Sequence, residues 1–221
     1  MGGFRKELNN AVFKNSLFKL IIIHISKCCE KLKNDCLETG EYLYNHEDKI
    51  SSRLVERYLD VGFSGLRFNL QKPEHFDAKT DTYKGRTDIT VISFDWFVHS
   101  NAYYVIECKR LDGKCRLNKE YVSEGIARFI ESTSPLYPSY YGKSIMLGYI
   151  VQAINVSENA KKIDKLQREL LVDVMIGEMR TVCDGRSGFS YYRCVYQSYG
   201  KTNVELAHLF YDFSDVIMDK S

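Results

Sequence analysis

Asp88, Glu107 and Lys109 are the residues of this chain whose types and spacing suit hydrolytic chemistry. Gly85-Arg86-Thr87-Asp88 opens one apolar stretch, and a second apolar stretch closes on Glu107-Cys108-Lys109. Strand side chains alternate faces, so Glu107 and Lys109 point together and Cys108 points away. Two carboxylates and an ammonium on one sheet face are costly to desolvate together. A divalent cation relieves that cost, and the lysine then orients a water or takes its proton. The pattern predicts a metal-dependent phosphodiesterase site. Glu-x-Lys alone is a weak signal, because it recurs at Glu47-Asp48-Lys49, and Asp-x-Lys occurs at Asp77 and Asp112. Only the Glu107 copy closes an apolar strand with an acid-opened strand upstream. The bland alternative is a surface ion cluster of Asp88, Glu107 and Lys109.

Those three residues need a hairpin to meet. Residues 88–94 and 103–109 read as its strands, turning around His99-Ser100-Asn101, which sets Asp88 close to Lys109. A long helix is expected over 9–38, with Phe13, Leu17, Ile21, His24, Cys28 and Leu32 recurring at helical spacing and Gly40 ending it. A second helix is expected over 45–60, with Ile50, Leu54 and Tyr58 inward and Gly62 and Gly65 marking the break. Residues 66–70 read as a strand and 72–84 as a polar loop. Residues 118–131 read as a helix capped by Asn118, with Val122, Ile126 and Phe129 buried. Residues 134–142 read as a loop and 145–151 as an interior strand. A helix is expected over 160–176, with Ile163, Leu166, Leu170 and Val174 inward. Residues 191–197 and 204–213 read as a C-terminal hairpin around Gly200-Lys201-Thr202-Asn203.

The chain has 221 residues, 44% hydrophobic and 13% aromatic, with 3 prolines and no low-complexity run. That suits one folded domain with an ample core. A net charge of +2 makes any basic footprint local. Lys84, Arg86, Arg110, Lys114, Arg116 and Lys119 gather near the Glu-Cys-Lys end and suit phosphate neutralisation, or a solvated loop. Seven cysteines with no C-x-x-C pair suit reduced thiols in a cytoplasmic protein. The apolar run over 20–25 is too short to span a bilayer, so no membrane partner is expected. His24 and Cys28 lack the further ligands of a zinc site. The first helix is core, or a face for a second copy or a partner protein.

The order helix, strand, Asp-strand, Glu-x-Lys strand, helix, strand over 45–151 resembles the PD-(D/E)xK, or restriction-endonuclease-like, nuclease superfamily. The resemblance implies an α/β fold, a mixed central sheet flanked by helices, in one domain over 1–221. Residues 1–40 would be a helical extension, 45–151 the core, and 152–221 a C-terminal helix with peripheral strands. It implies Asp88 and Glu107 as metal-binding carboxylates, the Cys108 backbone carbonyl as a further ligand, and Lys109 as the catalytic lysine. Glu47, at the start of the first core helix, is the acid that would join them, with Glu56 its competitor. Mg²⁺ is the implied cofactor, with Mn²⁺ able to substitute. Arg86, Arg110, Lys114 and Arg128 are the candidate nucleic-acid contacts. The chain departs from the superfamily pattern in having Gly-Arg-Thr-Asp for Pro-Asp, and Tyr121, Glu124 and Arg128 in place of Gln-x-x-x-Tyr. Glu-Cys-Lys-Arg-Leu, Tyr-Val-Ser-Glu-Gly-Ile-Ala-Arg-Phe and His-Leu-Phe-Tyr-Asp-Phe are similar to small bacterial members linked to phage defence. The implied activity is metal-dependent hydrolysis of nucleic acid, DNA ahead of RNA. The alternatives are a nuclease-like binding or scaffold subunit active only with a partner, and a hydrolase using Cys108.

Overall fold

A computed structural model describes residues 6–61, 65–77, 82–93, 103–130, 137, 142–184, 188–198 and 203–218. The chain begins with helix α1 (Lys6–Thr39). Gly40, at φ +70°, makes the left-handed turn that ends it. Ile21, Ile25 and Leu32 are fully buried, and Phe18, Ile22, Cys28, Cys29 and Cys36 extend the buried face. The breadth of the apolar pattern is therefore mostly core. The side chain of Phe13 lies outside the described residues.

After a short strand β1 (Leu43–Tyr44), α2 (Glu47–Leu54) continues into a π turn (Val55–Leu59). Ile50, Leu54 and Tyr58 are buried, as their spacing predicts. Strand β2 (Leu66–Leu70) follows where expected. Residues read as a polar loop instead form a two-stranded ribbon, β3 (Pro73–Asp77) and β4 (Thr82–Arg86). Cross-strand pairing at its ends overrides a composition that carries no apolar alternation. Strands β5 (Ile89–Ser93) and β6 (Tyr103–Leu111) pair antiparallel. Their expected turn at His99-Ser100-Asn101 lies outside the described residues, as do Gly62 and 199–202.

Beyond β6 the helical stretch begins at α3 (Cys115–Tyr121), passes through a π segment (Val122–Ile126) and ends as α4 (Ala127–Ile130). Asn118 is not its cap. It is buried inside the helix, and its amide exchanges hydrogen bonds of 2.7 and 3.2 Å with that of Asn159. Strand β7 (Lys143–Ile150) leads to α5 (Val156–Leu170). Asn155 caps α5, its side chain accepting from the Glu158 amide. The helix therefore starts and stops earlier than the 160–176 periodicity implies. Val174 lies instead in β8 (Val174–Ile176), drawn off by pairing with the next long strand. Strands β9 (Arg180–Asp184), β10 (Phe189–Ser198), β11 (Val204–Asp212) and β12 (Ile217–Met218) complete the chain.

The main sheet runs β2-β5-β6-β7-β11-β10-β8, with β9 also on β10. Strands β6, β7 and β11 are parallel neighbours and the remaining pairs are antiparallel. The C-terminal hairpin is thus not peripheral, because β11 docks against β7 within the sheet. Ile106, Cys108, Leu147 and Leu209 face α1 and α2, while Val105, Leu111, Met146 and Phe210 face α3 to α5. With both faces covered, β6 and β7 are buried almost continuously. Among the described residues no helix is long and apolar enough to cross a membrane.

Candidate active site

Strand β6 outruns its neighbour. The β5–β6 ladder ends at the Ile89–Ile106 pair, whereas β6 continues to Leu111. Among the described residues, backbone N–H groups beyond that point face no strand on the β5 side, and two carboxylates take them. Asp88 Oδ2 accepts from the Cys108 amide at 2.7 Å, and Glu47 Oε2 accepts from the Arg110 amide at 3.3 Å. The strand overhang thereby fixes both acids beside Glu107 and Lys109. The register puts Asp88 across from Glu107, two places from the expected position near Lys109. Two is an even shift, so the acids and the lysine still share a face.

Turn geometry supports Asp88 from behind. Gln71 sits at φ 54°, a left-handed conformation uncommon for a non-glycine residue. Its amide donates to the Asp88 carbonyl at 2.9 Å. Glu47 is delivered by the first turn of α2. Glu56, the competing acid, lies two turns along and lines a separate shallow surface.

Lys109 is the hub. Its Nζ donates to Glu107 Oε1 at 2.7 Å, to Glu47 Oε1 at 3.0 Å and to the Cys108 carbonyl at 2.9 Å. Burial alone would lower its pKa, but Glu107, Glu47 and Asp88 outweigh burial and hold the ammonium above its usual range. A lysine so placed is held in its charged form.

Glu107 is fully buried. Burial, then the Asp88 charge, pushes its carboxyl up to about 7, with Lys109 and Arg128 opposing. Burial likewise raises Asp88 and Glu47. Arg128 Nη1 donates to Glu107 Oε1 at 2.9 Å and to Tyr137 Oη at 2.6 Å. Both cations thus share one oxygen of Glu107. Its other oxygen, Oε2, is buried with no hydrogen-bond partner among the described residues.

Around these groups lies a cleft of about 310 Å³, lined by Glu47, Asp48, Arg86, Asp88, Lys109, Glu124, Arg128 and Tyr137. Gly125 lets the π segment approach it. A Cβ there would lie 3.5 Å from Lys109 Cγ and 2.5 Å from Met146 Cε. Arg110 points off the other face of β6 and donates through Nη1 to the Asn45 carbonyl and Oδ1, both at 2.8 Å. Lys114 is exposed just before α3. Neither residue lines the cleft. Glu124, which stands with Tyr121 and Arg128 in place of Gln-x-x-x-Tyr, does line it, as do Asp48 and Tyr137, which no spacing in the sequence singled out. Cys108 faces the α1–α2 core, where burial pushes its thiol up and Tyr149 donates to its Sγ at 3.3 Å. That environment suits a structural thiol.

Among the described residues no three His, Cys, Asp or Glu side chains converge as a ready ligand cluster. A Mg²⁺ site needs fewer, because water and substrate phosphate complete its octahedron. With Glu107 counted, five carboxylates surround the cleft against three cations, Arg86, Lys109 and Arg128. The excess negative charge and the orphaned Glu107 Oε2 fit a hard divalent cation. No family model, curated protein or solved structure matches the chain.

Proposed function

We propose that the protein is a Mg²⁺-dependent nuclease with a restriction-endonuclease-like core. One observation carries the reading: at the overhanging end of β6, in an open cleft, Lys109 is bonded to both Glu107 and Glu47, and Asp88 is held beside them on the Cys108 amide. Asp88 and Glu107 would hold the cation, with the Cys108 carbonyl as a further oxygen and Mn²⁺ an acceptable substitute. When bound, the cation polarises a phosphate and makes a bound water more acidic. Lys109, kept charged by its carboxylates, orients the attacking water. Glu47, raised by burial and 3.0 Å from Lys109, is the acid placed to receive the water's proton. Arg86 and Arg128 face the phosphate from the cleft wall. DNA as substrate ahead of RNA and a role in phage defence rest on the sequence resemblance alone, and a cytoplasmic setting on the cysteine pattern.

A second reading, a scaffold that acts only with a partner, is favoured by Leu20 and Ile23. They lie three residues apart on α1 and are 51% and 50% exposed. One experiment separates the two. Plasmid, linear duplex, single-stranded DNA and RNA are incubated with Mg²⁺, Mn²⁺ or EDTA, using wild type, Lys109→Ala and Asp88→Ala. Metal-dependent cutting, reduced at least about a hundredfold in both variants, is expected. Cutting that survives both substitutions overturns the site. No cutting by folded wild type with metal present favours the scaffold.

A further inference from the structure

Tyr137 lies in the cleft wall yet has no part in the chemistry above. It is 1% exposed, its ring packed edge-on against Phe129 at 5.3 Å between centroids. Its amide donates to the Arg128 carbonyl at 3.0 Å. Its hydroxyl accepts from Arg128 Nη1 at 2.6 Å and donates to the Arg86 carbonyl at 2.6 Å, with the Glu107 carboxyl close by. One phenol thus ties α4 to β4 and brackets both arginines of the cleft.

Arg128 is pinned by one nitrogen only. Nη1 carries the bonds to Glu107 and Tyr137, while Nε and Nη2 have no partner among the described residues. The guanidinium is rigid and planar, so fixing Nη1 at two points also fixes where the remaining N–H groups aim. The side chain is 31% exposed and lines the cleft. Those N–H groups form a donor edge suited to two oxygens of an anion.

We propose that Tyr137 is a positioning residue that presets Arg128 as a phosphate clamp. The clamp's ligand is a phosphate of the nucleic-acid strand lying in the cleft, so the proposal rests on the nuclease reading for its ligand. Tyr137 touches no substrate and acts through the angle at which it holds Arg128.

The test separates binding from cutting. Fluorescein-labelled 20-mers, single-stranded and duplex, are titrated in EDTA with wild type, Tyr137→Phe, Arg128→Ala and the double variant, read by polarisation. Tyr137→Phe keeps the ring packing and removes both hydroxyl bonds. It should weaken binding about tenfold, the size of one lost charged hydrogen bond. Arg128→Ala should weaken binding at least as much, and the double variant no further, because the tyrosine acts through the arginine. With Mg²⁺ present, the Tyr137→Phe defect should fall on KM rather than on kcat. Wild-type affinity in Tyr137→Phe, additive losses in the double variant, or no oligonucleotide binding by wild type each overturns the clamp. Binding that follows the expected pattern without any cutting keeps the clamp and rejects hydrolysis. Cutting with an unchanged KM in Tyr137→Phe does the reverse.

Discussion

Lys109 and Glu107 form the most consequential pair at the residue scale, because neither can turn to water. Glu107 has no exposed surface and Lys109 only 7%. Removing one member of a buried pair strands the other's charge, at about 3–5 kcal/mol, whereas replacing both with neutral groups is far milder. Lys109→Met should therefore destabilise the fold by about 3 kcal/mol, slightly buffered because Arg128 still holds Glu107. Adding Glu107→Gln should recover more than half of that loss. Urea denaturation of the two single variants and the double closes the cycle. A double variant no more stable than Lys109→Met would mean that the pair is not coupled as the distances indicate.

At the element scale, the close approach of β7 to its neighbours depends on Gly148, the partner of Lys109 in the parallel ladder. A Cβ at Gly148 would lie 2.6 Å from Phe210 Cδ1 and 2.7 Å from Leu111 Cδ1, a ring and a packed methyl that cannot easily yield. At Gly125 the obstruction is the mobile end of Met146. Gly148→Ala should thus cost about 1–3 kcal/mol and Gly125→Ala clearly less, read as shifts in denaturation midpoint. Equal costs would show that Phe210 and Leu111 repack freely. Element-level legibility follows the same division between local and distant causes. Strand alternation put Glu107 and Lys109 on one face because that relation is local, whereas Glu47, 62 residues from Lys109, was named only through the family resemblance. Arg128 lies 21 residues from Glu107 and Tyr137 lies 51 from Arg86, so neither contact had a spacing to be read from. The β3–β4 ribbon, the end of α5 and the interior place of β11 were hidden for a related reason. Each is decided by a partner strand, not by the residue's own neighbours in sequence.

At the scale of the whole molecule, two buried groups make stability respond to pH in opposite senses. His208, fully buried in β11, is held by Tyr121 at Nδ1 (2.9 Å) and Tyr196 at Nε2 (3.0 Å), and Tyr196 in turn donates to Gln167 Oε1 at 2.7 Å. This network joins α3, α5 and the two longest C-terminal strands. Burial lowers the His208 pKa from 6.5 to about 3. The unfolded chain therefore binds a proton between those values that the native state refuses. Stability from His208 is complete above pH 6.5 and is lost as pH falls toward 3. Glu107 works the other way. Its carboxyl is raised from 4.5 to about 7, so the native state binds the extra proton, and that stability is complete below pH 4.5 and lost as pH rises through 7. The windows overlap between pH 4.5 and 6.5, where the two slopes oppose each other in wild type. His208→Gln should tilt the balance toward Glu107, raising stability at pH 5 relative to pH 7, compared with wild type. Glu107→Gln should tilt it toward His208, lowering stability at pH 5 relative to pH 7. Each tilt should be on the order of 1 kcal/mol, since a pKa displacement of one unit is worth about 1.4 kcal/mol. Urea midpoints at pH 5, 6 and 7 in metal-free buffer measure both. Tilts of the same sign in the two variants would show that at least one group is not held in the native state as its surroundings dictate. Opposite tilts would tie the loss of stability in acid to a core histidine and the loss on rising through neutral pH to the cleft.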